Sequence, residues 1–177
     1  LLKPIKNQEL IGMVNKAADM IYKERKKDYI YSQLEGEKEQ MQKQFFRDWV
    51  NGSIQDRKAL SERMDFFRIE LKSYYTILIN VDEYELFINK IAESINDFLK
   101  GLRGSYYFID IKPGEWMAIL EGYGEDELLT IEDIFKELLK TLSFIFPRVV
   151  SIGVSNHATS YNDLPVKYEE ALEARSI

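Results

Sequence analysis

The chain has 177 residues, of which 45% are hydrophobic and 31% charged, a composition typical of a folded globular protein. Its formal net charge of −6 argues against direct nucleic-acid binding, because surfaces that hold phosphates are usually basic. It has no cysteine, which excludes disulfides, thiolate zinc sites and a cysteine nucleophile, and no apolar run approaches the ~20 residues that span a bilayer.

Residues 8–50 carry a helical pattern with heptad character. Apolar residues recur at spacings of three and four, and a charged stretch from Lys23 to Asp28 interrupts them. We predict one long helix that pairs with its copy in a homodimer. The alternative is two shorter helices, broken near Gly36 and folded back on the rest of the chain. The predicted dimer seam contains Leu10, Met13, Ala17, Met20, Tyr31 and Leu34.

Residues 51–72 form a predicted connection with one short helix. Asn51, Gly52 and Ser53 end the long helix, since such residues favour turns. The short helix runs from about Asp56 to Phe67, with apolar residues on one face, and its predicted role is packing.

From Ser73 the periodicity of the sequence changes. Apolar residues alternate over residues 75–82, which predicts a strand, and further strands are predicted at 105–111, 116–121 and 148–155. Helices are predicted at 83–101, 126–145 and 163–175, the second ended by Pro147 and the third capped by Asp163. Pro113 and Gly114 suit the centre of a type II turn, in which glycine takes the positive φ.

This order, β-α-β-β-α-β-α, predicts the α+β class. A split β-α-β arrangement with a central hairpin gives a ferredoxin-like antiparallel sheet, which we expect to carry its helices on one face.

Several stretches of residues 73–177 resemble the GGDEF domain of diguanylate cyclases, a nucleotidyl-cyclase-like fold. ILINVD (77–82) is similar to the strand that bears Asp-x-Asp, and SIGVS (151–155) to a late strand of that domain. The segment YEEALEA (168–174) resembles its final helix.

The residues at the catalytic positions of that family differ here. Asn80 stands where the family has its first metal-binding Asp, Asp82 retains the second acid, and the signature Gly-Gly-Asp/Glu-Glu-Phe falls on a turn with one glycine, Gly114. Pro113 lacks an N–H for a phosphate. We therefore predict that the domain is not an enzyme and holds no cofactor and no metal. Asn80, Asp82, Gly114 and Glu115 are the candidate residues of a vestigial ligand cleft.

The ordinary structural interpretation of these polar residues differs from a role in ligand binding. Asp82 and Glu83 would favour the start of a helix, and Glu115 would be an exposed hairpin residue. His157, the only histidine, has no evident partner for a metal site.

The whole chain resembles the central segment of a YesN-type response regulator of the AraC family. LLKPI (1–5) is similar to the end of a receiver domain, with Lys3 at its conserved lysine position, and FFRDWVNG (45–52) is typical of these regulators. The resemblance implies a fragment of a cytoplasmic two-component transcription factor. Residues 1–7 would be the receiver remnant, and AraC-type helix-turn-helix motifs would follow residue 177.

That resemblance implies a non-catalytic module for signal relay and dimerisation. Its partners would be the receiver and the AraC-type DNA-binding domain in cis, with the sensor kinase and DNA engaged only through those domains and no membrane contact. The alternative is a sensor that binds a nucleotide or metabolite in the vestigial cleft.

Overall fold

The computed structural model describes residues 7–82, 87–146 and 150–175. The predicted receiver remnant around Lys3, the helix start at Glu83, the helix end at Pro147 and the strand start at Arg148 lie outside these residues. The chain divides into two compact units, Leu1–Gln42 and Lys43–Ile177. We call their described parts the helical unit (7–42) and the sheet unit (43–175).

Helix α1 runs without interruption over Asn7–Val50 and includes Gly36. The break considered at Gly36 is therefore absent from this helix. In the helical unit, large apolar side chains are exposed, with exposed fractions from 48% at Ile30 to 72% at Met20. This stretch of helix therefore presents an apolar surface to water. Burial of that surface against a partner would lower the free energy.

The sheet unit contains the remaining elements close to their predicted positions. The helices are α2 (Arg57–Phe67), α3 (Ile88–Lys100), α4 (Leu128–Ile145) and α5 (Leu164–Arg175). The strands are β1 (Tyr74–Val81), β2 (Tyr106–Lys112), β3 (Glu115–Glu121) and β4 (Val150–Val154). Short 3-10 turns precede α4 and α5, and Ser160 caps the second one by accepting a hydrogen bond from the Asn162 N–H at 3.2 Å.

The four strands form one antiparallel sheet in the order β2-β3-β1-β4. Each of the two strand-helix-strand connections skips one strand, as the split β-α-β pattern requires. The α+β class and the antiparallel sheet expected from the sequence are therefore confirmed.

One part of the expected architecture needs correction, because helices cover both faces of this sheet. On one face, α3 and α4 bury a cluster with Ile77 and Ile79 of β1. On the other, α5, α2 and the end of α1 bury a second cluster, which we call the α5-side cluster. The sequence suggested one covered face because Leu78, which the alternation assigns to the second face, stands there among polar residues.

The end of α1 belongs to the core of the sheet unit. Phe45, Phe46 and Trp49 are each at most 2% exposed and lie in the α5-side cluster. The ring of Phe46 lies 5.1 Å from that of Tyr107 in β2, and the ring of Trp49 lies 6.4 Å from that of Tyr161 just before α5. The compact unit thus begins within the predicted linker helix.

Across the part of the chain that the structure describes, none of the helices has the length and apolarity needed to cross a membrane.

Candidate functional site

The candidate cleft residues meet where β1 ends beside the β2–β3 hairpin. Asn80 and Glu115 are direct partners in the antiparallel pairing of β1 and β3. The Val81 N–H donates to the carbonyl oxygen of Gly114 at 2.8 Å. Because side chains alternate along strands, Asn80 and Glu115 face the same side of the sheet as Leu78, the side covered by α5.

The hairpin turn contains Pro113 and Gly114, between the paired residues Lys112 and Glu115. Gly114 has a φ of 76°, which is the conformation expected at the second central position of a type II turn. Since Pro113 has no N–H, the turn offers a phosphate fewer backbone donors than a glycine pair would. The predicted positive φ of the glycine is confirmed.

Glu115 is buried, with 1% of its surface exposed, so its interpretation as an exposed hairpin residue is wrong. Its Oε2 accepts a hydrogen bond from Arg175 Nη1 at 2.5 Å and lies 3.5 Å from Lys112 Nζ. Its Oε1 accepts one from the Tyr168 hydroxyl at 3.3 Å. Both donors on α5 come from more than fifty residues away in the chain, so no local pattern indicated them.

Tyr168 responds electrostatically to this environment. Burial, followed by the charge of the nearby Glu115 carboxylate and the hydrogen bond to it, raises the pKa of Tyr168 to about 12. The phenol therefore stays protonated at neutral pH and remains a hydrogen-bond donor to Glu115.

Asp82 is the exposed acid of the set. Asn80 donates from Nδ2 to Asp82 Oδ1 at 3.0 Å, so these two side chains contact each other directly. The nearest described helix, α3, begins at Ile88, and residues 83–86 lie outside the described ranges. The role of Asp82 at the start of a helix therefore stays a prediction.

A divalent metal ion, as a cyclase of this fold would use, does not fit these residues. Metal sites of this kind need several carboxylate oxygens, but the oxygens of Glu115 accept from Tyr168 and Arg175. Asn80 brings an amide without charge. Over residues 7–82, 87–146 and 150–175, no group of three His, Asp or Glu side chains is placed to hold a metal ion.

His157 lies apart from the cleft, near the start of β1. Its Nε2 is 2.9 Å from Ser73 Oγ, and its ring lies 5.3 Å from that of Tyr75. The Ser73 hydroxyl donates to the carbonyl oxygen of Tyr123 at 2.8 Å, so it accepts from His157. Because the Ser73 hydroxyl directs its proton to a carbonyl oxygen and not to the imidazole, this histidine does not activate the serine as a nucleophile.

The six predicted seam residues lie on α1 within the helical unit, and all are exposed. The structure places them on a single uninterrupted helix, as the periodicity predicted. Their proposed role in pairing depends on a second copy of the chain.

Besides the contacts of Glu115, sequence reasoning missed an ion pair that fixes the end of α1. Arg47 donates from Nη2 to Asp110 Oδ2 at 2.7 Å and from Nε to the Asp110 carbonyl oxygen at 2.6 Å. Both residues belong to the sheet unit. The contact ties the last turn of α1 to β2, next to the buried Phe46.

Comparison with known protein families places residues of this chain in a described family. The family profile described as GGDEF-like domain matches residues 51–177 of the chain. No curated protein matches the chain. The match confirms the GGDEF-like resemblance, whereas the regulator context on either side of the domain stays a prediction.

Proposed function

This chain belongs to the GGDEF-like domain family, and we propose that it is a non-catalytic module for signal relay and dimerisation. In this proposal it lies in the cytoplasm, within a YesN-type two-component response regulator. It connects a receiver domain to an AraC-type DNA-binding domain, and a sensor kinase supplies the signal.

The observation that carries this proposal is that the first and last helices of the sheet unit share one core. Phe45 and Trp49 of α1 lie in the same α5-side cluster as Leu164, Tyr168 and Ala171 of α5. Protein interiors are close-packed, so a movement of the end of α1 must shift atoms that support α5. A signal that arrives along α1 thus has a direct physical route to α5.

The absence of catalysis is proposed from the chemistry of the turn. Pro113 replaces a backbone donor, Asn80 replaces an acid, and the carboxylate of Glu115 is bound to Arg175 of α5. This ion pair, with a further hydrogen bond from Tyr168, holds the Glu115 carboxylate inside the sheet unit instead of presenting its charge to a nucleotide.

Dimerisation is proposed from the exposed apolar side chains of the helical unit. Met13 and Met20 are 62% and 72% exposed, and Leu34 is 55% exposed. A helix with such a stripe gains stability when a second helix covers it.

The test uses two double variants of the intact protein that add the same charge. Leu10→Asp with Leu34→Asp places two acids in the seam, whereas Asn15→Asp with Gln33→Asp places two acids elsewhere on the same helix. We expect the first to abolish dimers in sedimentation experiments and the second to keep them. Phosphorylation-dependent DNA binding should follow the same division.

A relay also predicts a difference inside the sheet unit. Amide hydrogen exchange in α5 should differ between the dimeric protein and the seam variant, because the state of α1 is transmitted through the α5-side cluster. If DNA binding and α5 exchange are unchanged in the monomeric seam variant, the relay proposal is wrong.

The alternative prediction, a ligand sensor, has less support. The contacts of Tyr168 and Arg175 occupy the carboxylate that a ligand in the cleft would otherwise meet. Calorimetric titration with GTP and cyclic dinucleotides separates the two functions, since only a sensor gives a binding heat.

A further inference from the structure

The predicted seam of α1 occupies two positions of a seven-residue repeat. Leu10, Ala17 and Tyr31 share one position, and Met13, Met20 and Leu34 share the other. Because α1 is continuous, the same repeat extends through the charged stretch. It places Glu24 at the first position and Lys27 at the second, in the middle of the exposed stripe.

Parallel, in-register pairing would bring identical residues together across the seam. Glu24 would then face Glu24 of the second copy, and Lys27 would face Lys27. Lys38, which continues the first position, would also face itself. Like charges at close range repel, and three such layers within one short seam oppose this arrangement.

Antiparallel pairing changes these contacts because reversal of one helix places the first position opposite the second. With Glu24 opposite Lys27 of the second copy, the two-fold symmetry forms this opposite-charge contact twice. The charges that disfavour the parallel pair then favour the antiparallel one.

The same alignment also matches the apolar residues on both sides of the charged centre. Met20 lies opposite Tyr31, and Ala17 opposite Leu34, so that a small residue meets a larger one. Leu10 and Met41 form the outer layer. One alignment therefore satisfies both the charges and the apolar positions.

Two further contacts bear on the choice of orientation. Lys38 falls opposite Met13, where the lysine stem can pack while its amine reaches water. Parallel pairing would gain a contact between Lys23 and Asp28 at the edge of the seam, and exposed ion pairs contribute little.

We propose that residues 10–41 of two copies pair as an antiparallel coiled coil with Glu24 of each opposite Lys27 of the other. This inference rests on the proposed dimerisation through α1 and adds the orientation of the partner. The relay from α1 to α5 then runs within each chain. Pairing determines whether α1 is bound to α1 of a second copy or unpaired.

Disulfide trapping reads the orientation directly, because the native chain has no cysteine. Two variants of this 177-residue chain are prepared, Ala17→Cys and Leu34→Cys, with tags of different mass, and are equilibrated in a glutathione buffer. An antiparallel pair brings residue 17 of one copy to residue 34 of the other, so only the mixture should cross-link. Identical residues would lie about 25 Å apart, far beyond the ~7 Å Cα limit of a disulfide.

A charge exchange gives a second, independent measurement. Glu24→Lys converts both opposite-charge contacts into repulsions, so the dissociation constant should rise by roughly tenfold or more. Glu24→Lys combined with Lys27→Glu restores opposite charges and should recover the dimer. Asp19→Lys is the control, because it makes the same change of charge outside the seam.

Each outcome decides a definite question. Cross-linking of Leu34→Cys with itself, together with a Glu24→Lys dimer of unchanged affinity, overturns the antiparallel orientation and leaves dimerisation intact. A native chain that sediments as a monomer at all concentrations overturns both the orientation and the proposed dimerisation. The melting temperature of the sheet unit, followed in every variant, verifies that only pairing has changed.

Discussion

Arg175, on the last turn of α5, donates from Nη1 to Oε2 of Glu115, the first residue of β3, at 2.5 Å. The Glu115 side chain is 1% exposed and that of Arg175 17%, so the ion pair is largely removed from water. It fastens the hairpin turn to the end of the chain's last helix. The turn that would grip a phosphate in a cyclase here anchors α5 instead.

Replacement of Glu115 by Gln tests the contribution of this ion pair. The variant keeps the shape of the side chain but leaves Arg175 without its counter-charge in a mostly buried place. We expect a loss of about 3–5 kcal/mol in the free energy of unfolding, measured by urea denaturation.

The matched control for that variant is Glu137→Gln. It removes the same charge from the Glu137–Lys140 pair on α4, where the two side chains are 69% and 71% exposed. We expect a change below about 0.5 kcal/mol there. If the two variants cost the same, the buried pair does not form in solution.

The raised pKa of Tyr168, about 12, predicts a dependence of stability on alkaline pH. In the unfolded chain a tyrosine ionises near pH 10, so between about pH 10 and 12 the folded state binds more protons than the unfolded state. The stability from this group is complete below pH 10 and is lost as the pH rises through 12.

Denaturation curves measured from pH 9 to 12 test this dependence. The free energy of unfolding of Tyr168→Phe should fall less steeply with pH than that of the parent. The difference in slope should be at most that contributed by one titrating group. Some slope remains, because burial also raises the pKa of Tyr74. Equal slopes for the variant and the parent would contradict the prediction.

The burial of the α1 end predicts where the domain can be truncated. A chain that begins at Lys43 keeps Phe45, Phe46 and Trp49 in the core and should unfold cooperatively. A chain that begins at Asn51, where the family match starts, loses these side chains and Val50. At about 1.5–3 kcal/mol for each large apolar side chain, this loss equals the total stability of a typical domain.

Near-UV circular dichroism distinguishes the two truncated chains. We expect a fixed tertiary signal from the chain that begins at Lys43 and none from the shorter chain. Trp49→Ala in the full chain should cost about 3–5 kcal/mol by the same reasoning. A native signal from residues 51–177 alone would show that the α1 end is dispensable.

Replacement of a glycine by alanine should have opposite effects on stability in the two units. A Cβ at Gly153 in β4 would lie 1.9 Å from the carbonyl oxygen of Ala171, and this backbone atom of α5 cannot rotate away. Gly153→Ala should therefore destabilise the sheet unit by about 1–3 kcal/mol or more. At Gly36 no atom lies within 4 Å of the same Cβ.

Thermal unfolding and helical content provide the comparison between them. Gly36→Ala should stabilise α1 by about 0.5–1 kcal/mol, because alanine loses less conformational entropy in a helix. If Gly153→Ala unfolds at the temperature of the parent, the close approach of β4 and α5 is not maintained in solution.

The elements of the fold were predictable because each has its own local period. The sequence around Ile77 and Ile79 alternates and forms β1, while the spacing of Ile91, Ile95 and Leu99 is helical and forms α3. The hairpin was equally predictable, because the ring of Pro113 fixes its φ and the absence of a side chain lets Gly114 take a positive φ.

The second covered face was not predictable from those patterns. Alternation in β1 shows which residues share a face but not whether another element packs on that face. Leu60 of α2 and Phe46 of α1 reach the sheet through connections whose direction no periodicity specifies. The burial of Glu115 was missed for the same reason, because it depends on the packing of α5 over the face that Glu115 shares with Leu78.

The sequence by itself determined the order of helices and strands, the exposed apolar stripe of α1 and the loss of the cyclase signature. These properties depend on residues near one another in the chain, where spacing and residue type act directly. Tertiary structure alone decided that Phe45 and Trp49 join the core beneath α5, and that Arg175 neutralises Glu115. Such contacts depend on how distant segments pack, and packing depends on the shapes of both surfaces at once.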